Sequence, residues 1–244
     1  MQPPTWYNES MSIFISVIIL VLVMAIQLML QLNSGVFALF YHYALGKLSR
    51  RKADDLSLYY VLGTEVFVGG IWLIIYIFLF NMIGDAGETV FRILPWVLVG
   101  VCAAEAVMGL VFYYRKGKMT ELFVPRAITR GISTKVKDVK TRLDAFVLGF
   151  VVGAFELIFS LPLYLAASTV LMESPEIPRA PVIILYIVLA TMPLFVTRIL
   201  FRTDHNLAEI EKKRVKHKSL VRLFMFILYV AVALLMIYIG VKHG

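Results

Sequence analysis

The Lys and Arg residues of this chain are confined almost entirely to three stretches, with long apolar segments between them. Of 24 such residues, all but Arg92, Arg179 and Lys242 fall within Lys47–Lys52, Arg115–Arg142 and Arg198–Arg222. The N-terminal tail, Gly84–Arg92, Glu173–Pro181 and the C-terminus, which alternate with them, are nearly free of positive charge. Basic loops are retained on the cytoplasmic side of a membrane during insertion. The pattern therefore predicts an all-α polytopic membrane protein with six transmembrane helices and both termini on the outer side.

Composition points the same way. A chain that is 60% hydrophobic, with a mean hydropathy of +0.84, lies outside the range of water-soluble domains. The formal net charge of +8 invites comparison with nucleic-acid binders. These charges sit in loops between apolar segments, however, so the expected partner is the lipid bilayer and its anionic inner leaflet, and not nucleic acid. The single cysteine, Cys102, excludes an internal disulfide and a two-thiol relay. Met1–Ser10 lacks the basic start of a secretory signal, and no small-residue cleavage site follows, so Ser12 onward reads as a retained first helix. Asn8-Glu9-Ser10 fits a glycosylation sequon but lies almost at the membrane surface and is read as a chance match.

The six expected spans are Ser12–Leu32, Leu58–Met82, Ile93–Tyr114, Ala145–Leu171, Val182–Phe201 and Leu220–Val241. Each reaches the ~20 residues needed to cross ~30 Å of hydrocarbon. Trp6, Trp72, Trp96, Tyr59, Tyr60, Tyr113 and Tyr114 suit interfacial belts, although Trp72 also fits a deeper position. The stretch Met11–Gly46 carries no Asp, Glu, Lys or Arg and is too long for one simple span. Asn33-Ser34-Gly35 interrupts it with poor helix formers, which predicts a broken first helix. Pro162 removes a backbone donor within the fourth span and predicts a second break there.

Aligning Gln27 with Glu156 superposes Ile26–Leu32 on Phe155–Leu161 and sets Asn33-Ser34 opposite Pro162-Leu163. Each broken helix then opens a set of three spans. The halves 1–114 and 145–244 are expected to be inverted repeats, joined by the basic cytoplasmic linker 115–144. That layout belongs to many secondary transporters, whose ligands bind near the midplane. In the linker, Val136–Leu143 reads as a solvated orientation signal rather than an interfacial helix. Thr203–Ser219 reads as a cytoplasmic helix capped by Asp204, with His205 and His217 as ordinary surface histidines.

Three acids lie inside spans: Glu65, Glu105 and Glu156. An acidic side chain at the centre of a transmembrane helix costs ~3 kcal/mol on insertion scales, so such residues face a cavity, a partner or a pathway. Glu105 and Glu156 fall near mid-depth, and Glu65 nearer the cytoplasmic end. The candidate substrate- or ion-binding set is Gln27, Asn33, Ser34, Glu65, Glu105, Glu156 and Ser160, with Gly35 and Pro162 marking the helix breaks. For each acid the competing meaning is an interhelical hydrogen bond from a protonated carboxyl. Gly63, Gly69, Gly70, Gly100, Gly109 and the Gly149-x-x-x-Gly153 pair indicate close helix packing. Phe37, Phe40, Tyr41, His42 and Tyr43 read as packing or interface material. No H-E-x-x-H, G-x-S-x-G or Walker A pattern occurs, and no lysine lies inside a span. Neither catalytic residues, nor a metal, nor a cofactor are expected.

In layout, and in the residues Asn33-Ser34-Gly35 and Phe155-Glu156-x-x-Phe159-Ser160-Leu161-Pro162, the chain resembles the lysine-exporter superfamily and the related thiol-disulfide membrane transporters of cytochrome c maturation. The resemblance spans the whole chain in layout but only those residues in sequence. It implies two inverted three-helix halves with helix-breaking motifs in the first and fourth spans. The thiol-transporting branch sets a cysteine beside proline in each of these helices. Here Ser160 and Leu161 precede Pro162, and the first break has neither Cys nor Pro, so the resemblance implies export of a small solute or ion. The expected protein is a small secondary transporter of a prokaryotic cytoplasmic membrane, alternating access around the two breaks, with a homo-oligomer compatible. Competing readings are a non-transporting membrane assembly subunit and an intramembrane lipid-modifying enzyme. Convergence of Glu105, Glu156 and Ser160 on one cavity favours transport over assembly.

Overall fold

The computed structural model describes residues 5–30, 32–114, 132, 134–174, 176–203 and 218–243. Its principal elements are helices α1 (Thr5–Met29), α2 (Leu32–Lys47), α3 (Arg50–Tyr114), α4 (Arg142–Glu173), α5 (Arg179–Thr203) and α6 (Lys218–His243). No strand occurs among the described residues. Four stretches are long and apolar enough to cross a membrane: Arg50–Asn81, Arg142–Glu173, Arg179–Arg202 and Leu223–Val241. Ile13–Met29 is a shorter apolar helix. Segments 115–131 and 204–217, with most of the linker, Asp204, His205 and His217, lie outside the described residues.

Three local expectations are corrected. The first helix is interrupted, but earlier than Asn33-Ser34-Gly35: α1 ends at Met29 and α2 begins at Leu32. The Leu30 amide donates to both Ile26 O (3.1 Å) and Gln27 O (3.2 Å), the tightened turn of a helix end. Asn33, Ser34 and Gly35 fall in the opening turn of α2, where small polar residues are better tolerated because the first amides lack helical acceptors. The fourth helix is not broken. α4 runs unbroken from Arg142 to Glu173 with Pro162 inside it. Side-chain hydroxyls bond carbonyls of the turn before the proline: Tyr229 donates to Phe159 O (3.0 Å) and Ser160 to Glu156 O (3.2 Å). The expected outward loop Gly84–Arg92 is helical, so α3 continues from Arg50 to Tyr114. Its glycines cost only ~1 kcal/mol each, and the one proline of α3, Pro95, lies beyond the loop.

Burial divides the interior in two. One core joins α1, α4, α5 and α6 with both halves of α3, from Val68–Leu79 and from Leu98–Ala106. The other lies toward the basic end, where α2, the start of α3, the start of α4 and the end of α5 meet. Phe37, Phe40, Tyr41, Tyr60 and Phe201 form its aromatic centre, with Phe40 stacked on Tyr60 (5.6 Å) and Tyr41 on Phe201 (5.7 Å). Phe37, Phe40 and Tyr41 are thus packing residues, while His42 is exposed. The linker also contributes: residues 134–138 form a helical turn whose Val136 is buried here, more than an orientation signal requires.

The start of α3 and α4 run in the same direction, and they meet backbone to backbone. A Cβ added to Gly63 falls 2.0 Å from Phe146 O, and one added to Gly149 falls 2.0 Å from Tyr60 O. The contact is reciprocal, and the sequence repeats with it: Tyr60-Val61-Leu62-Gly63 faces Phe146-Val147-Leu148-Gly149. Thr64 adds a bond to Gly149 O (3.1 Å), and Gly153 seats the Phe67 ring at 3.0 Å. Gly70 and Gly100, grouped with these in the sequence, have no neighbour within 4 Å of an added Cβ.

At the basic end, two adjacent acids of α3 tie the other helices down. Asp55 takes both guanidinium donors of Arg142 (2.8 and 3.2 Å), and Asp54 accepts the Tyr41 hydroxyl and lies 3.9 Å from Arg202. Arg198 donates to Ser57 (3.0 Å), and α4 opens with a Thr141–Asp144 capping box.

Two outcomes are expected. Gly63→Ala and Gly149→Ala should each lower stability in detergent by ~1–3 kcal/mol, because the obstructing atom is backbone, whereas Gly70→Ala should be near neutral; thermal unfolding of the three variants checks this. Burial, then the bond to Asp54, pushes the Tyr41 phenol up to about 12. The folded chain keeps this proton after the unfolded chain has lost it, so the contribution is full below about pH 10 and is lost toward about pH 12. Tyr41→Phe should start from a lower melting temperature yet lose less on going from about pH 9 to about pH 11.5.

Candidate functional site

The seam between the two cores is polar. Glu156, on the buried face of α4, stands within electrostatic reach of Tyr60 in the basic-end core and of Tyr164 and Tyr186 in the other. Glu156 is 6% exposed and Ser160, one turn along α4, 2%. Tyr164 follows Ser160 one turn further along α4 and is also buried. The Tyr186 hydroxyl donates to Gln27 Oε1 (3.2 Å), bringing in α1. The rings of Tyr164 and Tyr186 both pack on Trp72, at 6.4 and 4.3 Å between centroids. Trp72 Nε1 donates to Ser168 Oγ at 3.0 Å. One carboxyl, one amide, three phenols, two hydroxyls and an indole are thus buried along α4 from Glu156 to Ser168 and on the facing helices α1, α3 and α5.

Local sequence explains the arrangement. Glu156, Ser160 and Tyr164 are spaced four apart and line one face of α4. Gly149 and Gly153 precede them on the buried side of the same helix. Gly149 lets the start of α3 approach, so that the carbonyl of Tyr60 meets α4.

Of the candidate residues, Glu156 and Ser160 share the buried face of α4, and Gln27 on α1 is buried and bonded to Tyr186. Glu65 is half-buried on α3 and makes no hydrogen bond or ion pair to a described residue. Glu105 is half-buried in the second half of α3, one turn from Cys102, and no described contact joins it to Glu156. Asn33 and Ser34 are helical in α2, and Gly35 is buried. Pro162 is buried on α4, two residues beyond Ser160. No group of three or more His, Cys, Asp or Glu able to hold a metal ion occurs among the described residues.

Tyr60, Trp72, Tyr164, Tyr186 and Ser168 were not among the expected site residues. Trp72 and Tyr60, assigned in part to an interfacial belt, are fully buried. A signal was present: Tyr164 sits deep within an apolar segment, where a hydroxyl demands a partner. Trp96, 47% exposed against Gly240, fits the interfacial belt.

No protein-family model matches the chain, and neither the curated proteins nor the solved structures contain a match.

Trp72→Phe keeps the ring packing and strands the Ser168 hydroxyl. It should cost ~1 kcal/mol, and the double variant with Ser168→Ala should cost less than the sum of the two single changes, measured by thermal unfolding in detergent.

Proposed function

We propose that this chain is a small secondary transporter that moves a small solute or ion by alternating access around the Glu156 seam. The observation that carries the proposal is a carboxyl buried on α4 between two apolar cores. Such a group is costly in a membrane and is characteristic of substrate and ion pathways. In this reading Gln27 on α1 and Ser160, one turn along α4, supply neutral ligands, from the two helices whose sequences align. The direction is export, as the resemblance to the lysine-exporter superfamily implies, across a prokaryotic cytoplasmic membrane with both termini outside.

The full arrangement we propose is six crossings in two inverted halves, which requires α3 to reverse within its 82–92 segment, helical in the structure. Residues on both sides of that segment belong to the same core as α1 and α6. The interruption between α1 and α2 supplies the opening in the first half. In the second half the proline-weakened turn at Ser160–Pro162 takes that role, as a bend point within an unbroken helix.

A second reading, a non-transporting assembly subunit, is favoured by the close packing: Gln27, Glu156 and Ser160 are all under 7% exposed. Ligand-dependent thermal stabilisation of the purified chain separates the two, using amino acids, divalent cations and small anions at acid and neutral pH. A selective rise in melting temperature that Glu156→Gln abolishes, and that Glu65→Gln leaves intact, is the expected result. Flux in proteoliposomes should then follow the same ligand. Equal behaviour of Glu156→Gln and the native chain would remove the seam from the mechanism.

A further inference from the structure

We propose that the basic end carries a separate binding site for the phosphate headgroup of an anionic phospholipid. A cavity of about 270 Å³ opens between α2, the first turn of α3 and the chain leading into α4. Lys47, Lys52, Lys137 and Lys140 line it, and among the described residues no carboxylate does. Phe40 and Val136 belong to its apolar lining and are themselves part of the basic-end core. None of the residues of the Glu156 seam takes part, so this site does not depend on the transport reading.

Three observations fix the ligand chemistry. Among the described residues no acid lines the cavity; of the nearby carboxylates, Asp55 is engaged with Arg142, Asp54 with Tyr41 and Asp144 with the amides of Lys140 and Thr141, while Asp138, next to Lys137, is exposed. Four lysines lining one small volume suit a compact, multiply acceptor anion, and lysine serves phosphate as a point charge. The apolar lining requires a ligand with a hydrocarbon portion beside its charge, which a lipid supplies and a free ion does not. Position agrees: Lys47 ends α2, Lys52 lies in the opening turn of α3, and Lys140 stands two residues before α4. These are the ends of membrane helices on the face where anionic leaflet lipids attract basic side chains. The walls are pre-formed, since Lys47 Nζ donates to Lys137 O (3.2 Å) and the Lys137 ammonium lies 5.3 Å from the centre of the Tyr43 ring.

The test titrates the full chain in nonionic detergent with short-chain phosphatidylglycerol, phosphatidylcholine, glycerol 3-phosphate or inorganic phosphate, reading the melting temperature. Phosphatidylglycerol should stabilise at concentrations where phosphatidylcholine and the two water-soluble phosphates do not. Lys52→Gln with Lys140→Gln should raise its half-saturating concentration about tenfold or more. The charge-matched pair Arg51→Gln with Lys135→Gln, outside the cavity lining, should leave it within about twofold. These lysines have no intramolecular role like that of Lys47, so folding is preserved, and near-native melting temperatures without lipid check this. Equal weakening in both pairs would mean general surface charge and overturn the site. Equal stabilisation by phosphatidylcholine would overturn the anion requirement, and equal stabilisation by inorganic phosphate would overturn the lipid assignment.

Discussion

Everything placed in the interior depends on the contact between Gly63 and Gly149. Helix association in a membrane lacks the hydrophobic drive available in water, so close packing and hydrogen bonds must supply it. With an added Cβ only 2.0 Å from the opposing carbonyl on each side, no larger residue fits at either position. The approach lets Thr64 reach Gly149 O and sets the side chains one and two turns further on. Tyr60 and Glu156 lie near one another because the backbones beneath them already touch.

That crossing also explains why the interior separates into two cores with a polar seam. Below it, α2 fills the space with phenylalanine and tyrosine rings, held by the Asp54–Asp55 clamp. Above it, α1, α5 and α6 close around Trp72, Tyr164 and Tyr186. The clamp is partly solvent-exposed, and exposed ion pairs contribute ~0–1 kcal/mol. Its role is registration: it holds α2, α4 and α5 at one level on α3, and the buried aromatic contacts supply the stability.

The sequence made the helical, membrane-type character legible, because charge segregation and apolar length act over whole segments and survive local error. The extents of α4, α5 and α6 followed from the same signal. Features depending on a single turn were less legible. Asn33-Ser34-Gly35 looked like an interruption, yet the same residues are suited to the first turn of a new helix, which is where they stand. Pro162 looked like a break, but a proline removes only the one bond to the Ile158 carbonyl, and α4 continues through it to Glu173. Glu156, Gln27 and Ser160 were legible as polar exceptions in apolar helices. Glu65 and Glu105 were equally exceptional in sequence, and only the packing of α3 separates them from the seam. The tyrosines were missed because a tyrosine in an apolar segment serves an interface as well as a core.

The chemistry of the seam follows from what its surroundings lack. From residue 143 to residue 178 the chain contains no lysine or arginine, and α1 contains none at all, so the cations gather at the helix ends. Phenol, hydroxyl and amide groups donate hydrogen bonds to a carboxylate without cancelling its charge, and an uncompensated charge in a low-dielectric interior is costly. Under the proposed transport function, the charge balance of Glu156 is supplied by something that moves: a proton, or a cation entering from one side. A group whose charge balance is supplied from outside is coupled to the ligand that balances it, because any arrangement of helices that binds the carboxylate better must bind its counter-charge better as well. Such coupling links occupancy to the accessible side in a secondary transporter, and a packing residue has no use for it.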